Sequence, residues 1–303
     1  MEGSTGREAF GTSCGCCLLG QPREVSSPGW SPAPDFVRLF RGDRFRFEFG
    51  MRPAEANWFR LASPELPQLE ERRELIRRQP HDYAPWLAEA DPVLDELLAL
   101  FVEPGARALI GGGAAAGREL AGLWEPDFVL LRRDSAGAFR MVGGCVCDPS
   151  WWNPAEKLGL PIEAIHAPVP TLNAELGSRI RKFLERLPSE TTFTRENWGL
   201  AAVPDRNLHP HLKRQRLDAQ ASLGRTWLRI EHQAFRSLPQ SEGLAFVIWL
   251  TVHPLSEVTR NPEVASAFHR QLTTMPEEIA RYKGLAEARE SLLAQISATG
   301  LAA

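Results

Sequence analysis

The chain has 303 residues, 43% of them apolar, enough for one large domain or two small ones around a buried core. Its 35 Lys and Arg against 38 Asp and Glu leave a formal charge of -3. That balance lacks the basic surplus needed to neutralise many phosphates, so nucleic acid is not an expected partner.

The longest apolar run, residues 244 to 252, is far shorter than the roughly 20 residues that a membrane-spanning helix requires. The N-terminus carries Glu2 and Glu8 and lacks a basic segment followed by an apolar one, so no secretory signal is expected and the location is read as cytoplasmic. Residues 1 to 40 are rich in Gly, Ser and Pro without periodicity, the composition of a disordered tail. A main domain is expected over 41 to 260, with C-terminal helices at 261 to 303 packing on it. The five cysteines fall in two clusters, Cys14/Cys16/Cys17 and Cys145/Cys147. Neither has zinc-ligand spacing and the odd count argues against a disulfide framework, so the thiols are read as free. The first cluster has the residue type for reversible lipidation but no basic or amphipathic flank.

From Arg44 the segment RFRFEFG alternates strictly, which predicts a half-buried strand with Phe45, Phe47 and Phe49 on one face. Helices are predicted over 66 to 78 and from Asp91-Pro92, where an acidic N-cap and a proline mark the start. The second carries Val93, Leu94, Leu97, Leu98 and Phe101 on its inner face. FVLLRR (128 to 133) and FRMVGGCVC (139 to 147), joined by Asp-Ser-Ala-Gly, predict a β-hairpin. Its Gly143-Gly144 pair suggests a bulge or the close approach of a ligand.

Asn153-Pro154-Ala155-Glu156 has the form of a capping box and opens a short helix before Gly159. An amphipathic helix is predicted over 174 to 187, strands at 198 to 203, 226 to 232 and 244 to 252, and a last helix from 277 to 296. Hairpin-joined strands with helices inserted in blocks indicate an α+β domain with an antiparallel sheet.

Three local patterns bear on function. IGGGAAAG (110 to 117) places Gly111, Gly113 and Ala116 in the form of a dinucleotide-binding loop, with Asp134 near the spacing of a ribose-binding acid but inside the hairpin turn. His209 and His211 form an H-x-H within NLHPHLKRQR, whose polar composition reads as a solvated loop rather than a metal site. His166 lies in IHAPVP, where Pro168 and Pro170 are expected to hold Ala167 and Val169 extended and so preorganise the imidazole as a ligand. From its neighbours alone, a plain loop histidine is the more ordinary reading.

A longer ordered series changes that weighting. FEFGMRP with Trp58, WEPDFVLL, GGCVCDPSWWNPAEKLGLPIEAIHAPVP, FLERLPSETTFTRENWG and LRIEHQAFRSLPQSEGLAFVIWLTVHPL together resemble the haem-dependent oxidative N-demethylase alpha-subunit family over about residues 45 to 258. The most specific stretch is 152 to 170. The resemblance implies a PAS-like fold, an antiparallel sheet with helices around one haem b, and oxidation of small methylated amines with O₂. It makes His166 the iron ligand and a catalytic residue. Lys157, Arg195 and Arg229 become candidates for the haem propionates, and Trp152 and Trp198 for the walls of the macrocycle. Asp127 is the acid expected to hold a protonated amine.

Electrons would come from a separate flavin and iron–sulfur reductase, because the cysteine spacing here makes no iron–sulfur site. A haem sensor or binding protein without catalysis is the alternative within the same fold; formaldehyde release separates the two. The sequence departs from the family at His232, where arginine is more usual. It departs again after Trp58, where Ser63-Pro64 and Leu66 replace an aspartate and a tyrosine.

Overall fold

The structure is a computed structural model describing residues 32–55, 58–62, 66–101 and 111–298. Cys14, Cys16 and Cys17 lie outside the described residues, as does most of the segment read as a tail.

Six antiparallel strands form one sheet: β1 (Arg52–Pro53), β2 (Asp127–Arg133), β3 (Phe139–Cys145), β4 (Phe193–Ala201), β5 (Trp227–Leu238) and β6 (Gly243–Pro254), in the order β1-β4-β5-β6-β2-β3. The predicted hairpin is β2–β3. Its turn is closed by Asp134, whose side chain accepts from the backbone N–H groups of Ala136 and Ala138, both at 2.9 Å. The register shifts between Leu130 and Leu131, so Val142 is the extra residue of a bulge. Protein, not ligand, approaches the glycine pair. A Cβ on Gly143 would meet the Trp86 ring at 2.9 Å, and one on Gly144 (φ +156) would lie 2.4 Å from the Phe128 carbonyl oxygen.

Helix α1 (Phe36–Leu39) begins the described chain, and Phe40 behind it is 0% exposed. Phe40 packs on Trp198 and Phe268, so residues inside the stretch assigned by composition to a tail belong to the core. Next come α2 (Pro67–Arg78), α3 (Pro80–Tyr83), α4 (Asp91–Leu98) and α5 (Gly113–Ala121). Helix α4 buries Val93, Leu94, Leu97 and Leu98 as its periodicity requires, each stabilising the fold by about 2 kcal/mol relative to exposure. Asp91 is the first helical residue, not its cap, and accepts from the Trp86 indole at 2.8 Å.

The alternating segment 44–50 is not a strand. Phe45 and Phe47 pack beside Trp198, while Phe49 reaches Phe183 on another part of the core. Alternation was met by packing of the rings, without a ladder partner.

The dinucleotide reading of 111 to 116 gains no support from the described residues, and the segment 102–110 leading into the loop lies outside them. The sheet is antiparallel among the described residues, whereas that fingerprint needs a parallel βαβ unit. The small residues serve packing instead, since a Cβ on Gly117 would meet the Trp86 ring at 2.7 Å.

After β3 come α6 (Ile162–His166) and α7 (Leu172–Glu185). The C-terminal block holds α8 (Leu255–Val258), α9 (Pro262–Thr274), α10 (Glu277–Tyr282) and α11 (Arg289–Ala298). The single last helix expected from 277 to 296 is thus split, with Gly284 at φ +67 in the break. Among the described residues no helix is long and apolar enough to cross a membrane.

Candidate functional site

The two faces of the sheet differ in chemistry. On β4 and β5 the register sets Arg195 opposite Gln233 and Asn197 opposite Glu231, and side chains two apart share a face. Arg195, Asn197, Glu231 and Gln233 therefore form a polar strip. Further along the same face, Phe193, Phe235 and Phe246 join an apolar cluster with Val129, Leu131 and Met141. Trp152, Ile162, Ile165, Ile180 and Phe183 pack on that cluster, which brings α6 and α7 over this face.

His166 is the last residue of α6 and is half-buried. It lines a 440 Å³ cavity between α6, α7 and the β2–β3 turn, with Glu163, Asn173 and Phe139 among the lining residues. Asn173 donates to the Glu163 carbonyl oxygen at 2.9 Å and ties the two helices together. Burial lowers the His166 pKa, the Arg195 cation lowers it further, and Glu163 opposes both. The ring is thereby kept neutral, the form that binds a metal.

The proline constraint acts differently from the expectation. Ala167 is helical, at φ −54 and ψ −34, not extended. The bond from the Val169 N–H to the His166 carbonyl, at 2.9 Å, outweighs the usual pre-proline preference and continues the turn.

Arg195 shares the electrostatic neighbourhood of His166, and its buried Nε has no hydrogen-bond partner among the described residues. Burial lowers its pKa, with Glu231 and Glu196 opposing. Glu231 accepts from Gln233 at 2.9 Å and from Asn197 at 3.3 Å. Trp152 packs on the apolar cluster that also receives Ile162 and Ile165 of α6, and it does not line the His166 cavity.

The remaining expected site residues stand apart. Arg229 is on the polar face and its terminal nitrogens are engaged: it donates to the carbonyls of Asp205 (2.6 Å) and Arg206 (2.7 Å) and to the Ser150 hydroxyl (3.3 Å), while its buried Nε has no partner among the described residues. Burial pulls its pKa down to about 10. Lys157 ends the short turn Pro154–Lys157, which packs against α3. Trp198 is three residues from Arg195 in one strand, so its side chain leaves the sheet on the opposite face, although both line the cavity at the open edge of β4. It sits in the other core with Phe40 and Phe268.

Asp127 is 2% exposed and accepts from Arg72 at 2.7 Å, from the Cys147 N–H at 2.8 Å and from the Asp148 N–H at 2.9 Å. These partners all belong to the protein itself and give the carboxylate a structural role.

His209 also differs from expectation. It is 2% exposed, not solvated, and its ring lies 4.1 Å from that of His211 and 5.0 Å from that of Tyr83. Tyr83 supplies the cover that the polar sequence around it does not reveal. Among the described residues, no group of three or more His, Cys, Asp or Glu side chains is placed to hold a metal ion. Cys145 and Cys147 are free and buried, and burial pushes the Cys145 thiol up to about 12. His232 lies on the face opposite the polar strip, contacts the Thr251 hydroxyl at 3.1 Å, and is pulled down to about 4 by burial.

An antiparallel α+β domain with one neutral histidine on a cavity, in the field of a half-buried arginine whose buried Nε has no partner among the described residues, is the class of protein these features define. The model of the family described as haem-dependent oxidative N-demethylase, alpha subunit-like, matches residues 116–293, more than half of the chain. The chain belongs to this family. The match extends past residue 258 and so takes in the C-terminal helices.

Proposed function

We propose that the chain binds haem b through His166 and oxidises a small methylated amine with O₂, removing a methyl group. The observation that carries this reading is the coincidence of family membership with His166: within the matched residues, a neutral imidazole lines a 440 Å³ cavity. The donor set suits the cofactor. One neutral imidazole is an ordinary axial ligand, and Arg195, with its buried, unpartnered Nε, has the charge and the fork of donors for a propionate. Bound there, haem would supply the redox chemistry of O₂ activation.

The protein's own part is to keep the imidazole unprotonated, to place it at the end of α6, and to line the space around it with Ile162 of α6 and Ile180 and Leu184 of α7. The PAS-like reading of the fold is supported by its strand order. A hairpin, a helical insertion and a three-stranded meander return the last strand beside the first of the hairpin. The reading as an alpha subunit supports a separate protein as the source of electrons.

The test is turnover. The haem-loaded protein, supplied with dimethylamine, O₂ and a flavin and iron–sulfur reductase, is expected to release formaldehyde. Reduction of the iron with no formaldehyde from any small methylated amine would favour the sensor reading.

A further inference from the structure

A second cavity, of 250 Å³, opens at the edge of β4 where residues 44–52 run past it. Seven cationic and two anionic side chains line it. Both acids are matched on the spot. Glu48 is held by Arg41, and Glu196 by Arg52 with Arg38 at 3.2 Å. The surplus is therefore positive, and the wall carries more cations than its own acids can neutralise.

Arg195 and Lys283 are the two cations that link this cavity to the polar strip of the sheet. The Arg195 Nε is buried without a partner. The Lys283 ammonium donates to the Trp198 carbonyl at 2.7 Å and lies 5.2 Å from the Trp198 ring centre. An ammonium has three donors, and that carbonyl takes one. Burial, joined by the Arg195 charge and opposed by Glu231, pulls the Lys283 pKa down to about 8. Glu231 is engaged by the amides of Asn197 and Gln233. Two half-buried cations lining one small cavity repel each other unless an anion joins them. Arg195 also acts on His166, so one guanidinium spans the neighbourhoods of the proposed iron ligand and of Lys283.

We propose that Arg195 and Lys283 form a carboxylate-binding site that takes the propionate edge of the haem, with Lys283 as the anchor supplied by the C-terminal helical block. This rests on the haem reading above. It also gives those helices a role in the site, since Lys283 directly follows α10.

The experiment compares binding of protohaem with that of its dimethyl ester, in which both carboxylates are blocked, by absorbance titration of the haem-free protein. Wild type is expected to prefer protohaem by about ten- to a hundredfold, the worth of one charge-assisted contact. Lys283→Gln should lose most of that preference, Lys283→Arg should keep it, and Arg195→Gln should lose it in parallel. Equal binding of the two haems by wild type, or an undiminished preference in Lys283→Gln, overturns the proposal. If neither haem binds, the haem reading fails on its own, and sodium propionate becomes the probe of the anion site. A rise in melting temperature that Lys283→Gln abolishes would retain a carboxylate site at Arg195 and Lys283. No rise would remove it.

Discussion

Replacing Asp127 by alanine should break the fold before it touches chemistry. The Arg72–Asp127 pair is 5% and 3% exposed at its side chains, with a 2.7 Å contact. Arg72 also donates to the carbonyls of Ala121 and Pro126, both at 3.2 Å, so its guanidinium cannot swing out to water when the carboxylate is lost. Burial pushes the Asp127 carboxyl up and Arg72 pulls it back. Losing one partner of a buried pair costs about 3–5 kcal/mol, and each backbone N–H left without an acceptor, here those of Cys147 and Asp148, adds about 1–3 kcal/mol. Even with water entering the space, a loss of at least about 4 kcal/mol is expected, a large share of the roughly 5–15 kcal/mol of a typical domain. Asp127→Asn keeps an acceptor oxygen and should cost less.

The assay is urea denaturation followed by circular dichroism, with the midpoint converted through an unchanged slope. An Asp127→Ala protein within about 1 kcal/mol of wild type would refute this account. So would an Asp127→Asn protein of full stability but raised KM for the amine, which would return Asp127 to substrate binding.

Phe40→Ala should cost about 3 kcal/mol in the same assay, because the ring is fully buried against Trp198 and Phe268; a loss below about 1 kcal/mol would show that the packed domain begins after it. His232, with a folded pKa of about 4 against an ordinary value near 6.5, binds its proton in the unfolded chain first. Its contribution is therefore fully present above about pH 6.5 and is lost as pH falls towards 4, about 3 kcal/mol in all. His232→Gln should flatten the decline of the urea midpoint across that window, and an unchanged slope would contradict the assignment. Anaerobic mixing of the ferric protein with NADH or NADPH should leave the iron oxidised until a reductase is added, as judged from the visible spectrum.

Much of the architecture was legible from period and punctuation. The hairpin, the buried face of α4 and the three long strands follow from apolar spacing, because those elements bury the faces their sequences mark. Segment 44–50 shows the limit: alternation of Phe with Arg or Glu reports which side chains are buried, not whether a neighbouring strand exists. Parity was available for Trp198. Arg195 and Trp198 are three residues apart in one strand, so their side chains leave the sheet on opposite faces. His209 was hidden because its cover, Tyr83, comes from a distant helix. Lys283 carried no local signal at all, since what makes it notable is the company of Trp198, Arg195 and Glu231 brought to it by the fold. His166 was singled out for a rigid extended backbone that the structure does not have, and it gains its standing instead from the cavity and from the neighbouring Arg195 charge.

The central claim is most directly tested by the visible spectrum of the purified protein supplied with haem, beside that of His166→Ala. The account predicts a Soret band in wild type, with ferric and ferrous spectra that change in His166→Ala as the axial imidazole is removed. A wild-type protein with no Soret band, or a variant whose spectra match wild type in both oxidation states, would contradict it.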